Sequence, residues 1–303
     1  MRDSLLQACP LCSGKLSKNI EYPGSDRTSS RLSFHSICVC ESCGGGTALP
    51  RPSQEDLDQF YSSGAYWKST TDELQLAHES SQAQIRLIAC LPHFSVESPA
   101  SVADVGAGHG FIGRELARSV LRTVRYDCVE PDETAGARIC SLKLPFPARR
   151  FRSVDELESG FNLLFLNQVI EHVADPFLFL QHVLSRATPG AIVYVETPNS
   201  DYKFKPDVFP HTFFYTERAL TTLGRRLSVE TLCCETFGCW PSPRGTLRGF
   251  TQRLASQAYA AGAKLGLQQL PRILDRFIWH YDQTGLDSGI WLRWIFRTPN
   301  HRN

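Results

Sequence analysis

Ser101-Val-Ala-Asp-Val-Gly-Ala-Gly-His-Gly110 is a short apolar run that passes through Asp104 into three glycines at alternate positions, and the helix-like Phe111-Ile-Gly-Arg-Glu-Leu-Ala-Arg118 follows it. A strand that ends in glycines and opens a helix is how an open α/β sheet brings backbone against a nucleotide-like ligand. Gly106, Gly108 and Gly110 turn the chain sharply, leave no Cβ in the way and aim the next helix's N–H groups at the ligand. The same letters contain Gly108-His-Gly-Phe-Ile-Gly113, which matches the dinucleotide pattern, and Glu130 lies about 20 residues on, where a ribose-binding carboxylate is expected. Two cofactor classes stay open at this point.

Asp104 bears on the choice, because a carboxylate just before the first glycine suits a ligand carrying an ammonium group better than a pyrophosphate, whose charge it repels. From here the chain resembles the class I S-adenosylmethionine-dependent methyltransferases. Their first motif is an acidic residue followed by Gly-x-Gly-x-Gly, here Asp104 to Gly110, and their second is an acidic residue ending strand two, here Glu130 in Val124-Arg-Tyr-Asp-Cys-Val-Glu-Pro-Asp132. The resemblance continues through Phe161-Asn-Leu-Leu-Phe-Leu-Asn-Gln-Val-Ile-Glu-His-Val-Ala-Asp-Pro176, similar to the fourth strand and its turn, and Thr188-Pro-Gly-Ala-Ile-Val-Tyr-Val-Glu-Thr-Pro-Asn199, similar to the fifth.

It implies a doubly wound α/β fold with a mainly parallel, seven-stranded, Rossmann-like sheet. It also implies S-adenosylmethionine as donor. Glu130 then accepts the ribose hydroxyls, Asp132 approaches the adenosine and Asp104 contacts the methionine end, with Phe111 and Pro131 beside them. Asn167 and Gln168, at the end of strand four, face the methionine or the acceptor. His211, in Phe209-Pro-His-Thr-Phe-Phe-Tyr215, stands where the family places a substrate-facing loop and is a possible general base. Glu171 and His172 are a second general-base candidate pair, with a structural role holding the turn together as the alternative that the family pattern implies, and Tyr66, in a segment that caps the cofactor in such enzymes, is a further catalytic-site candidate.

The first cysteines form two Cys-x-x-Cys pairs, Cys9-Pro-Leu-Cys12 and Cys40-Glu-Ser-Cys43, each followed closely by glycine. Two residues between cysteines let both thiolates reach one ion, the glycines free backbone N–H groups to approach sulfur, and two such knuckles complete a tetrahedron. The pattern predicts a structural zinc on Cys9, Cys12, Cys40 and Cys43. Cys38 is a poorer alternative to Cys40, and no thioredoxin-like helix follows Cys9 to favour redox chemistry. Residues 13–39 read as short strands too small to fold without such a staple.

Across 303 residues, 32 Lys and Arg balance 31 Asp and Glu, and 42% are hydrophobic. That balance gives no field to attract nucleic acid or an anionic membrane. No window approaches the length of a spanning helix, and the chain lacks a signal-like N-terminus, so it reads as cytoplasmic. Three regions are expected: a zinc-ribbon-like module over 1–50, a methyltransferase domain over 51–245, and a helical extension over 246–303. Strands are expected near 101–105, 124–130, 150–154, 161–167 and 191–196. Phe250 to Leu270 reads as an amphipathic helix. The tail with Trp279, Trp291, Trp294 and Phe296 would pack on the sheet or a second subunit, and its arginines allow a membrane-surface contact as the alternative.

The resemblance is closest to bacterial methyltransferases with a cysteine-rich N-terminal module that act on sugars, lipids or other small metabolites. Sugar C-methyltransferases usually add a second α/β domain, for which this chain is too short. Two other functions compete. One is a nicotinamide oxidoreductase using the same glycine turn, although no Tyr-x-x-x-Lys pair supports it. The other is a non-catalytic zinc-bearing adaptor, which would be marked by degraded glycines or a lost ribose carboxylate.

Overall fold

In the computed structural model, which describes residues 8–24, 32–63, 73–238 and 289–300, the apolar runs become two sheets. The small sheet begins with β1 (Leu16–Glu21), β2 (Ser36–Cys40) and β3 (Gly46–Leu49). Helix α1 (Gln54–Ser62) starts at Ser53 in a capping box with Asp56, and α2 (Glu73–Cys90) leads to the central strands. These are β4 (Ala100–Val105), β5 (Thr123–Val129) and β6 (Ala148–Phe151), joined through α3 (Phe111–Leu116) and α4 (Glu133–Cys140).

The chain then returns to the other side of β4 with β7 (Phe161–Asn167), α5 (Pro176–Leu184) and β8 (Ala187–Pro198). After β9 (Phe213–Phe214) and α6 (Glu217–Arg226), β10 (Glu230–Phe237) and β11 (Trp291–Arg297) complete the large sheet. Its order is β10-β11-β8-β7-β4-β5-β6, so the winding reverses between β4 and β7. β6, β5, β4, β7 and β8 are parallel neighbours, and β11 runs antiparallel to both β8 and β10. A reversal of this kind opens a crevice beyond the carboxyl ends of the central strands.

β7 is buried on both faces because it separates two apolar layers. Phe161, Leu164 and Leu166 face one layer, and Leu163 and Phe165 face the other. That double burial is why its sequence is an unbroken apolar run rather than an alternating one.

The helical extension expected over 246–303 is corrected at its end. Trp291 to Arg297 is a strand inserted between β8 and β10, with Leu292, Trp294 and Phe296 in one apolar layer and Ile295 in the other. The alternation 292, 294, 296 is a period-two signal, and the gap between two existing strands supplies the hydrogen bonds that a helix would otherwise satisfy internally. Arg293 pairs with Glu235 and Arg297 with Glu230, so these cations serve ion pairs within the sheet. The helix expected over 250–270, with Trp279, Arg272 and Arg276, lies outside the described residues.

Trp294 is fully buried and tilts against Phe296 at a centroid distance of 4.3 Å, while its indole N–H donates to Thr231 Oγ1 at 3.1 Å. Trp294→Ala is expected to destabilise the chain by about 3–5 kcal/mol, read as a shift in the urea midpoint at unchanged slope.

The small sheet has the order β1-β2-β3-β9, so the cysteine-bearing segment takes its fourth strand from residues far along the chain. Among the described residues no helix is long and apolar enough to cross a membrane.

Candidate functional site

Gly106, Gly108 and Gly110 all have positive φ, at 72°, 54° and 73°. At Gly106 the need for glycine is also steric, since a Cβ there would collide with the Val169 side chain. The turn is tied down by Glu130, which follows β5. One carboxylate oxygen accepts the Gly108 N–H at 2.8 Å and the other accepts the Asp132 N–H at 3.0 Å. A carboxylate has about four acceptor sites, so these two bonds leave capacity for two hydroxyls. Burial pushes the Glu130 carboxyl up to about 7 against the pull of those two N–H groups.

Asp104 closes β4. Its Oδ2 accepts the Tyr126 hydroxyl at 2.7 Å, whereas its buried Oδ1 has no hydrogen-bond partner. Burial raises this carboxyl to about 6, with Tyr126 and Arg86 opposing the shift. Asp104 shares its sheet face with Val102, Asn167 with Phe165, and Glu196 with Tyr194, so the strand period puts Asp104, Asn167 and Glu196 on one face near the carboxyl ends of adjacent strands, with Asn167 opposite Glu196 and Asp104 opposite Phe165. Asn167 Oδ1 is a second buried acceptor without a partner. Gln168 takes a left-handed conformation, φ 57°, and its amide donates to Glu196 Oε1 at 3.4 Å.

Asp132 is the N-cap of α4. Its Oδ1 accepts the Ala135 N–H at 2.9 Å, and its other oxygen is buried without a hydrogen-bond partner. Phe111 opens α3 and is buried against the His109 ring, while Pro131 gives its carbonyl to Arg150. These residues line the same turn.

Two residues here, Glu196 and Arg86, are not among the expected site residues. Arg86 of α2 clamps Glu196 in a two-point ion pair, Nη2 to Oε1 at 2.6 Å and Nε to Oε2 at 3.2 Å, and Tyr194 donates to the same carboxylate at 2.8 Å. Burial raises the Glu196 carboxyl, but the Arg86 charge and these hydrogen bonds outweigh it and hold the group below its ordinary range. A carboxylate directly after the apolar run Ala191–Val195 was the available signal for Glu196. Arg86, among apolar helix positions, gave none.

Beside these residues lies a second cluster. Thr197, next to Glu196, donates to Glu171 Oε2 at 3.1 Å, and Glu171, His172 and His211 bring ligand-capable atoms within 4.8 Å of one another. Glu171 Oε1 is buried without a hydrogen-bond partner, and burial pushes the carboxyl up to about 7. His172 Nδ1 is 2.7 Å from the Tyr61 hydroxyl, its ring meets that of His211 edge-on at 4.8 Å, and burial holds its pKa well below the ordinary imidazole value. His211 Nδ1 lies 3.2 Å from Asp201 Oδ2. Burial raises the Asp201 carboxyl, but His211 and Lys205 overcome it and bring it to about 2. Glu171 and His172 therefore cluster with His211. Tyr66 lies outside the described residues.

The four cysteines form a third cluster. Cys9 and Cys43 sulfurs are 3.7 Å apart, Cys12 and Cys40 sulfurs 3.4 Å, and all four fall within 4.8 Å. A tetrahedron with Zn–S bonds of about 2.3 Å has edges of about 3.8 Å, so the set fits such an ion. The Gly14 and Gly45 N–H groups donate to Cys12 and Cys43 sulfur at 3.3 and 3.4 Å, the arrangement that stabilises thiolates. Cys38 stands apart and contacts Asn19.

Comparison with known proteins agrees with this geometry. "Ubiquinone biosynthesis O-methyltransferase" of Rhizobium johnstonii is 24% identical over 163 residues, which is 50% of this chain and 65% of that protein, so the chain spans just under two-thirds of the relative's length. Among solved structures, the [4+2]-cyclase SpnF superposes with a TM-score of 0.52 at 15% identity, over 82% of this chain and 97% of that one. The plantazolicin methyltransferase BamL gives 0.50 at 10% identity, over 81% and 97%. At such identities these structures support the fold alone. The profile of a family described as "Methyltransferase domain" matches residues 77–244, from within α2 to just past β10. With more than half of its length matched, and the glycine turn, its carboxylates and the seven-stranded sheet in place, this chain belongs to the methyltransferase-domain family.

Proposed function

We propose that the protein transfers a methyl group from S-adenosylmethionine to a hydroxyl of a small acceptor. The observation that most supports this is the presence of two buried acceptor atoms without hydrogen-bond partners, Asp104 Oδ1 and Asn167 Oδ1, on the two strands that flank the winding reversal, where an ammonium group would find an acceptor. Glu130 retains capacity for the two ribose hydroxyls, and the glycine turn leaves room for the donor's backbone contacts. The names of the relatives support an oxygen acceptor.

Methyl transfer from a sulfonium is an in-line displacement: the new O–CH3 bond forms as the S–CH3 bond breaks, the sulfonium takes the electron pair and the acceptor loses its proton. The protein orients the two reactants and excludes water. His211 accepts the hydroxyl proton at Nε2, with Asp201 steadying the Nδ1 side, and Glu171 and His172 shape the acceptor's pocket. A zinc ion in the cysteine tetrahedron would be structural, since four protein sulfurs leave no open position.

Calorimetry with S-adenosylmethionine, S-adenosylhomocysteine and NADH tests this assignment. Both sulfur compounds are expected to bind and NADH is not. Burial raises Asp104 from 3.8 to about 6 and Glu130 from 4.5 to about 7, so Asp104 holds a proton between about pH 4 and 6, and Glu130 between about pH 4.5 and 7, that the unfolded chain has lost. Their stabilising contribution is therefore present at low pH and is lost as pH rises through 6 to 7. A ligand that prefers the ionised carboxylates expels those protons, so its affinity falls from pH 8 to pH 5. Proton release should appear as a buffer-dependent binding enthalpy. Binding of NADH alone would refute the assignment.

A further inference from the structure

Among the described residues, several hydrogen bonds tie the cysteine-bearing segment to residues 208–226, the stretch that carries His211. Strand β3 emerges from the Cys40–Cys43 knuckle and pairs with β9, Gly46 opposite Phe214 and Thr47 opposite Phe213, and the Ala48 N–H reaches the Thr212 carbonyl at 2.9 Å. The Cys43 carbonyl accepts the Thr216 hydroxyl at 2.6 Å. From the other knuckle, the carbonyls of Pro10 and Leu11 accept Arg226 Nη1 at 2.5 and 2.9 Å. At Gly45, between knuckle and strand, a Cβ would press on Leu11 and on the Phe214 carbonyl, so the two knuckles and β9 are in close contact. Tyr22, fully buried, donates its hydroxyl to the carbonyls of both Val208 and His211, at 3.1 and 3.0 Å. The donor's glycine turn is held differently, by Glu130 and by main-chain bonds from Gly106 and Ala107 to Val129.

We propose that the metal-bound cysteine cluster is the anchor of the acceptor side: through β3, Thr216 and Tyr22 it fixes the 208–216 segment and hence the position of His211, while leaving the donor side independent. This rests on the cysteine cluster being a zinc centre and on His211 serving the acceptor. Tyr22 is then a positioning residue, acting on His211 through its main chain. Thr212 and Tyr215 also bond to Ile170, Glu171, Val173 and Ser200, so losing the knuckle loosens the segment by removing its β3 and Tyr22 bonds, whereas a turn pinned within the large sheet keeps its own local stability.

The test is hydrogen exchange read by mass spectrometry on the full chain, with zinc content and S-adenosylhomocysteine affinity measured on the same samples. Removing zinc with a chelator, or by Cys40→Ser, is expected to speed exchange across 208–216 by at least about tenfold, while 100–110 and 161–167 stay protected and donor affinity changes by less than about threefold. Tyr22→Phe, which deletes one hydroxyl, should keep its zinc and its donor affinity and still loosen 208–216. Protein purified without zinc would overturn the proposal together with the zinc assignment. Zinc that can be removed with 208–216 still protected would overturn the proposal alone. So would equal loss of donor binding, which would make the metal a general folding element, and so would a Tyr22→Phe variant that exchanges like wild type.

Discussion

His211→Gln is expected to slow methyl transfer by about 10²- to 10⁴-fold, the usual contribution of a positioned general base, while leaving S-adenosylhomocysteine affinity within about threefold of wild type. The split follows from where His211 sits. It belongs to the segment after β8 and contacts Asp201 and His172, whereas the donor's proposed contacts come from Asp104, Glu130 and Asn167 on the central strands. The measurement is release of S-adenosylhomocysteine with an acceptor found by screening hydroxylated compounds against the wild-type protein. Asp201→Asn should reproduce part of the loss, because the imidazole then loses the carboxylate that faces Nδ1. A His211→Gln variant that turns over like wild type would remove the histidine from the chemistry and leave the acceptor site with Glu171 and His172 alone.

The donor side should respond in the opposite way. Asp104→Asn is expected to weaken S-adenosylhomocysteine binding by about 10- to 100-fold, because a charge-assisted hydrogen bond contributes about 1.5–3 kcal/mol. Asparagine keeps the shape and an acceptor for the Tyr126 hydroxyl, so the protein should remain folded. Glu130→Ala should weaken binding by at least as much and lower the melting temperature too, since it also strands the Gly108 and Asp132 N–H groups that the carboxylate now satisfies. Calorimetry at pH 8, where both carboxyls are ionised, gives the cleanest comparison. Unchanged affinity in both variants would move the donor away from the glycine turn.

The two sides of the site differ in how far they could be read from the chain alone. The donor side is built from short segments: a strand, a glycine turn and a helix start within residues 101–111, then Glu130 at the end of the next strand. Each function is encoded locally, in residue types that the backbone geometry demands. The acceptor side is assembled from distant pieces. Tyr61 meets His172 across 111 positions, and Asp201 meets His211 from a neighbouring turn. The sheet face lies between these cases. Asn167 was visible at the end of its strand, while Glu196 gained its meaning only from Arg86, 110 positions away.

By itself the sequence determined the glycine turn with its two carboxylates and the paired cysteine knuckles, because positive-φ glycines and Cys-x-x-Cys spacing are rules of local backbone geometry, and its motif order, by resemblance to a known family, implied the doubly wound sheet. Tertiary structure alone decided that Trp291–Arg297 is a strand within the sheet rather than part of a helical tail, that Phe213–Phe214 completes the small sheet, and that two histidines and a buried glutamate lie together. Those outcomes depend on which strand edge or buried charge lacks a partner after the rest of the chain has packed, and no local pattern carries that information.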